Sequence, residues 1–161
     1  MTANTGRTTL KNTNFIIGDS AATLRNIPIN TLSVVGVTYD ELDLTAWQDA
    51  VKGALPSMPD APISISGPFD TAAAGTSPAL SGSHTVLSAL VGLTTPISLD
   101  IQIGIRHAWE AGEPQFGITK GAGSGYLVTS YIVNPAEMSY TAELRLYPGS
   151  VLPAWGTAAE T

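Results

Sequence analysis

The sequence contains no cysteine and few charged residues. The absence of cysteine excludes disulfides, thiol catalysis and cysteine-ligated zinc. Charged residues make up 12% of the 161 residues, about half of the roughly 25% usual in globular domains. A soluble monomer of this length usually carries more charged residues on its surface. We therefore infer that other copies of the chain or a partner cover much of the surface.

The charge that is present leans acidic, with 13 Asp and Glu against 7 Lys and Arg and a formal net charge of −6. An acidic surface repels phosphate backbones, which argues against a nucleic-acid-binding protein. No uninterrupted apolar run reaches the roughly 18 residues of a membrane-spanning helix, so we expect no membrane span. The opening stretch MTANTGRTTLKNTN is polar, and we expect no secretory signal.

The chain length and the placement of glycine and proline favour a single, mostly β domain over residues 1–161. The 16 glycines and 11 prolines lie between short apolar runs, which is typical of strands joined by turns. Helices do not alternate with the strands, so a sandwich or barrel is favoured over a parallel sheet. We predict a flexible arm at 1–13 and an extended tail at 148–161.

Alternation of apolar and polar residues locates the strands. The clearest is PISLDIQIGIR, residues 96–106, and MSYTAELRLY, residues 138–147, repeats its pattern. Weaker strands are predicted in NFIIG, LRNIPI, LSVVGVTYDELDL, PISISGPFD and GYLVTSYIV.

Two stretches depart from the β pattern. In TAWQDAVKGAL, Thr45 and Gln48 have the spacing of a capping box and Pro56 follows, which predicts a short helical segment. In SHTVLSALVGL, apolar residues recur at helical spacing, which predicts a helix near 83–92 that packs on a sheet.

The stretch FIIGDSAATL resembles the nucleophile turn of the GDS serine hydrolases, with Ser20 as the candidate nucleophile. Such enzymes need a histidine base in a late Asp-x-x-His block. Ser81 and Gly104 stand three residues before the two histidines, His84 and His107, so that block is missing. A serine without a general base is a poor nucleophile. We therefore predict that Gly18, Asp19 and Ser20 are turn residues and that the protein is not an enzyme.

Other candidate motifs also favour structural interpretations. GAGSGY, residues 121–126, lacks the glycine spacing of a phosphate loop or a nucleophile elbow, and we expect a flexible hairpin connection. His107, Glu110 and Glu113 are too few for a closed zinc site without cysteine, so a solvated loop is favoured. The acidic stretch 40–43 lacks calcium-loop spacing. We therefore expect no metal and no cofactor.

The segment LSVVGVTYDELDLTAWQDAVKGALPSMPDAPISISGPFD resembles the tail tube proteins of long-tailed bacteriophages. It combines an Asp-apolar-Thr-aromatic stretch, an amphipathic run ending in Leu-Pro, and an apolar-Ser-apolar-Ser-Gly strand that closes on an aromatic residue and Asp. The matching positions are Asp43, Leu44, Thr45, Trp47, Asp49, Leu55, Pro56, Met58, Asp60, Ile63, Ser64, Ile65, Ser66, Gly67, Phe69 and Asp70. The resemblance extends over roughly residues 14–147, although the family's Leu-Pro-Gly-Leu is Leu-Pro-Ser-Met here.

The resemblance implies a β-sandwich of two packed antiparallel sheets with one flanking helix, which assembles into hexameric rings. The rings stack into a hollow tube in the virion tail, after assembly in the host cytoplasm. The implied partners are other copies of the chain and the tape measure, terminator and distal tail proteins. Genomic DNA would pass through without specific binding.

Two surfaces are expected to matter for such an assembly. Ring stacking is assigned to the loop from Asp40 to Asp60, which exposes apolar residues in a proline-rich setting. The stacking residues are Asp43, Thr45, Trp47, Leu55, Pro56 and Met58, and the lumen residues are Asp100, Gln102 and Glu143. The alternatives are a tube protein of a related contractile or secretion injection machine, and a non-tube virion component or β-sandwich binding module.

Overall fold

The computed structural model describes residues 12–33, 35–73, 80–104, 112–119, 121 and 123–156. Eleven strands and one helix lie within this part of the chain. The strands are β1 Thr13–Gly18, β2 Leu24–Ile27, β3 Thr31–Leu32, β4 Thr38–Asp43, β5 Ala54–Asp60, β6 Ile63–Pro68, β7 Leu99–Ile103, β8 Gln115–Ile118, β9 Tyr126–Asn134, β10 Ser139–Leu146 and β11 Ala154–Gly156. The helix α1 spans Ser83–Leu90. The prediction of a mostly β fold with one helix is confirmed.

Two antiparallel sheets contain nine of the strands. The five-stranded sheet has the order β11-β8-β7-β1-β2, and the four-stranded sheet has the order β3-β6-β10-β9. Apolar residues of both sheets meet in one core, because period-two alternation sends every second side chain to the same face. The fully buried members include Phe15, Ile17, Leu99, Ile101 and Phe116 from the first sheet and Ile65, Tyr126, Tyr140, Ala142 and Leu144 from the second.

The helix forms where helical spacing predicts it, and ends slightly earlier than residue 92. Its inner stripe of Val86, Leu87 and Leu90 is buried and packs beside β9 and β2. At its start, the Ser83 hydroxyl donates to the Pro68 carbonyl at 2.8 Å and so ties α1 to the end of β6.

The strongest strand patterns also form strands. The predicted strand at 138–147 corresponds to β10, where buried Tyr140, Ala142 and Leu144 alternate with exposed residues. The predicted strand at 96–106 is shorter, since β7 ends at Ile103 and residues 105–106 lie outside the described residues.

One prediction of local structure is wrong. The segment expected to be helical after Thr45 instead forms the tip and second strand of a hairpin, β4–β5, which is a separate two-stranded sheet. The Thr45 hydroxyl hydrogen-bonds to the Gly53 backbone across the tip, so it closes a loop where a capping box would have started a helix.

The predicted terminal segments are described only in part. Residues 1–11 of the predicted arm and 157–161 of the predicted tail lie outside the described residues. Thr13 already belongs to β1, and within the predicted tail β11 pairs with β8 at the edge of the five-stranded sheet.

Candidate functional site

The β4–β5 hairpin is the most unusual surface of the described chain. Every residue in its two strands is exposed. Leu42 faces Leu55 across the pair, and the register shifts between Tyr39 and Glu41. An isolated two-stranded hairpin is at best marginally stable in water, so this element has little stability of its own.

The hairpin also carries a concentration of exposed apolar side chains. Trp47, at the tip, is as exposed as in a free peptide, with a relative accessibility of 104%, and Met58 is 73% exposed. The other large apolar residues of the hairpin that are exposed are Tyr39, Leu42, Leu44, Val51 and Leu55. Concentrated exposed apolar surface of this kind is typical of protein interaction sites.

Polar contacts fix the shape of the hairpin tip without a core. The Asp43 Oδ1 accepts the Thr45 backbone N–H at 2.9 Å, and the Asp49 Oδ2 accepts the Ala46 N–H at 2.7 Å. The Thr45 Oγ1 accepts the Gly53 N–H at 2.9 Å. Hydrogen bonds from the Thr45 side chain and backbone lower the pKa of Asp43. The tip therefore holds Trp47 out in a defined loop.

All six residues predicted for ring stacking lie on this hairpin. Asp43 belongs to β4, Thr45 and Trp47 to the tip, and Leu55, Pro56 and Met58 to β5. The structure thus brings the predicted residues into one element, and their role in stacking stays a prediction.

A second surface is the outer face of the four-stranded sheet, which is rich in hydroxyl groups. The cross-strand register puts Thr141 opposite Ser66 and Glu143 opposite both Ser64 and Ser130. The charged residues here are few: Arg145 lies 3.7 Å from Asp60 in an ion pair that is more than half exposed. Such a pair contributes little to stability. The face is weakly charged and mostly polar, with Ile132, opposite Thr141, as an exposed apolar member.

The predicted lumen residues do not share one surface, and the interpretation that placed them together needs correction. Glu143 lies on the exposed face of the four-stranded sheet. Asp100 and Gln102 lie on the other sheet and are only 6% and 3% exposed. The reason is that β7 is an inner strand, where Gln115 donates to the Asp100 Oδ1 at 3.2 Å and Asn14 donates to the Gln102 Oε1 at 3.4 Å.

The GDS stretch is a turn, as predicted. The Asp19 Oδ1 accepts the backbone N–H groups of Ala21 and Thr23, each at 2.9 Å, and closes the β1–β2 connection. Ser20 is an exposed turn residue. His84 is engaged elsewhere, with its Nδ1 3.0 Å from the Tyr131 hydroxyl, and His107 lies outside the described residues.

The GAGSGY segment contains a tight turn of the predicted hairpin type, since Gly121 and Ser124 form an isolated antiparallel bridge with hydrogen bonds in both directions. It joins β8 to β9, which belong to different sheets, so the chain crosses from one sheet to the other here. Gly125 has a φ of +138°, and a Cβ at this position would lie 2.7 Å from the Ile97 carbonyl oxygen. This close approach requires glycine for a structural reason.

The remaining sequence interpretations concern metal binding and a membrane span. Of the three candidate ligands, His107 and Glu110 lie outside the described residues, and within the described part no group of three His, Asp or Glu could hold a metal ion. No helix in that same part is long and apolar enough to cross a bilayer. No protein-family model matches the sequence, and no curated protein matches it either.

Proposed function

We propose that this chain is a structural subunit of a hollow tube, and specifically a tail tube protein of a long-tailed bacteriophage. The observation that carries the proposal is the β4–β5 hairpin, whose strands are wholly exposed while bearing large apolar side chains. Contacts with further copies of the chain would bury this surface and stabilise the hairpin. The scarcity of charge supports the same conclusion, because a surface buried between copies needs little charge.

The long edge strand β9 supports assembly into a closed ring. In the described part of the chain, one edge of β9 pairs with β10. At the start of its other edge, Tyr126 bridges to Ile97 and the Val128 carbonyl accepts the Gly92 N–H, and beyond Val128 no described strand lies beside this edge. Its nine residues, YLVTSYIVN, include no proline and no charged residue, although natural edge strands are usually protected by such residues. Side-by-side packing of subunits in a ring, hexameric by resemblance, would cover this edge.

The outer face of the four-stranded sheet is the proposed lumen wall, with Glu143 as its acidic member. Serine and threonine hydroxyls dominate it, and the cross-strand neighbours of Glu143 are serines. A wall without clustered Lys and Arg would let DNA slide, because cations that neutralise phosphates hold DNA in place. In this proposal the chain works in the virion tail beside the tape measure, terminator and distal tail proteins.

Negative-stain electron microscopy of the purified protein tests the proposal. We expect rings or hollow tubes from the wild-type chain, and tubes to be lost in Trp47→Glu, because a charge at the hairpin tip opposes burial of that tip between copies. Val151→Glu is the matched control, since Val151 is also exposed, at 63%, but lies outside the hairpin. A wild-type protein that stays monomeric at high concentration would overturn the proposed function.

A further inference from the structure

The outer face of the five-stranded sheet carries a small cleft beside β8. Its volume is about 150 Å³, and its lining comes from β7, β8 and β11 and from the residue that follows β8. Asp100 faces outward because it alternates along β7 with Leu99 and Ile101, which belong to the core. We call this space the β8 cleft, defined by Asp100, Gln115, Gly117, Thr119, Ala154 and Gly156.

Small residues give the β8 cleft an open floor. The register puts Ala154 opposite Gly117 and Gly156 opposite Gln115, and all four point to the outer face. A Cβ at Gly156 would meet no atom within 4 Å, whereas a Cβ at Gly117 would collide with the Asp100 Oδ1. The cleft therefore combines a floor almost without side chains with a carboxylate that only glycine at position 117 leaves room for.

One buried acceptor at the β8 cleft has no donor. The Gln115 amide donates to the Asp100 Oδ1 at 3.2 Å, while the Gln115 Oε1 is buried and no donor in the described part of the chain reaches it. The amide cannot be turned over, because its oxygen would then face the carboxylate oxygen. A buried acceptor without a donor is costly, so a ligand that donates hydrogen bonds would be stabilised here.

The lining of the β8 cleft determines the kind of ligand that fits. The described residues that line it offer acceptors in Asp100, Gln115 and Thr119 and include no Lys, Arg or His, so a cation with N–H donors is favoured. A space of about 150 Å³ is roughly five times the 30 Å³ that one water occupies in the liquid, so a bare ion would leave most of it empty. A primary alkylammonium ion joins three donors to a slim carbon chain.

We propose that the β8 cleft binds a primary alkylammonium ion, either a free diamine or the lysine side chain of a partner protein. The ammonium group lies between the Asp100 carboxylate and the Gln115 Oε1, which turns toward it within the broad χ3 range of glutamine. The alkyl chain lies over Ala154 and Gly156. The cleft faces away from the four-stranded sheet, so the inference does not depend on the proposed tube function.

Ligand-observed NMR titration of the full chain with n-butylammonium tests the site. We expect saturable binding, and at least about tenfold weaker binding of n-butyltrimethylammonium, which has the charge without N–H donors. Gly156→Leu, which fills the open floor, and Gln115→Leu, which removes the acceptor, should each weaken n-butylammonium binding at least about tenfold. Gly53→Leu is the matched control, because a Cβ at Gly53 also meets no atom within 4 Å but lies on the hairpin.

The absence of saturable n-butylammonium binding to the wild-type chain would overturn the proposal. Equal binding by wild type and a folded Gly156→Leu protein would also overturn it, as would binding of calcium chloride alone. Two further probes distinguish the sources of the ion. Tighter binding of cadaverine than of Nα-acetyl-lysine amide would support a free diamine, and the reverse order would support a lysine side chain of a partner protein.

Discussion

At the scale of single residues, Asp19 organises the β1–β2 turn that resembles a catalytic motif in sequence. Its Oδ2 accepts the Arg25 Nε–H at 3.0 Å, while its Oδ1 accepts two backbone N–H groups. Burial is the largest single influence and raises the pKa of Asp19, but the hydrogen bonds from Thr23, Arg25 and Ala21 together outweigh it. The pKa of Asp19 therefore lies below its usual value of 3.8.

This lowered pKa predicts a pH-dependent contribution to stability. A group with a depressed pKa in the folded state stabilises the fold above its unfolded pKa, and the effect is lost as pH falls through the folded pKa. We expect Asp19→Asn to lower the free energy of unfolding by about 1–2 kcal/mol at pH 7, because charged hydrogen bonds are lost. The difference from wild type should narrow below about pH 4.

Thermal unfolding at pH 7 and pH 3 measures this effect. Glu41→Gln, which removes one negative charge from the exposed strand β4, controls for the change in net charge. An Asp19→Asn deficit that stays the same at both pH values would show that the carboxylate is not responsible.

At the scale of elements, two tyrosine hydroxyls fasten the four-stranded sheet to neighbouring chain segments. Tyr140 of β10 donates to the Pro28 carbonyl, and Tyr126 of β9 donates to the Ala61 carbonyl, both at 2.8 Å. Burial raises the pKa of both phenols, so they remain hydrogen-bond donors. Each hydroxyl satisfies a carbonyl outside the regular strand ladders.

Tyr140→Phe should lower the free energy of unfolding by about 1–2 kcal/mol, because the Pro28 carbonyl loses its buried donor while the ring still fills the core. Urea denaturation with an unchanged m-value measures the loss. Tyr39→Phe, on an exposed hairpin strand, is the matched control and should change stability by less than about 0.5 kcal/mol. Equal effects from the two variants would contradict the role of the Tyr140 hydroxyl.

Elements with a strong local pattern could be predicted from the sequence, and those that depend on distant contacts could not. The alternation in β10 and the apolar stripe of α1 are local signals, and both elements form. β5 was missed because its sequence ALPSMPD contains two prolines, which remove ladder donors. A strand with one neighbour tolerates them, but the sequence does not show how many neighbours a strand has.

In the candidate sites too, the sequence predicted what depends on local signals and did not predict what depends on distant contacts. The six residues predicted for stacking lie on one hairpin because they are close together in sequence, and their role in stacking stays a prediction. The shared lumen surface was wrong because the alternation in β7 predicts two faces but not what covers each of them. Asn14 and Gln115 lie beside the polar face of β7 only after β1 and β8 have paired with it. Asp100 and Gln102 hydrogen-bond to these long-range neighbours and are almost fully buried.

At the scale of the whole molecule, three surfaces are difficult to explain in a monomer. They are the exposed hairpin, the edge of β9 beyond Val128, and a weakly charged, hydroxyl-rich sheet face. A stack of rings would give each a separate use, since hairpins would join rings, edges would meet within a ring, and the sheet face would border the channel. One assembly would therefore account for all three surfaces and for the low charge of the chain.

The orientation of the sheet face in such a tube gives the last prediction. If the outer face of β10 lines the channel, Thr141→Lys places repeated cations along the path of DNA, whereas Thr119→Lys adds the same charge just after β8, away from the four-stranded sheet. We expect short duplex DNA present during assembly to be protected from nuclease in Thr141→Lys tubes, at least about tenfold more than in wild type or Thr119→Lys tubes. Protection should weaken steeply with salt, because each phosphate contact releases counterions. Equal protection by the two lysine variants would place the four-stranded sheet away from the channel.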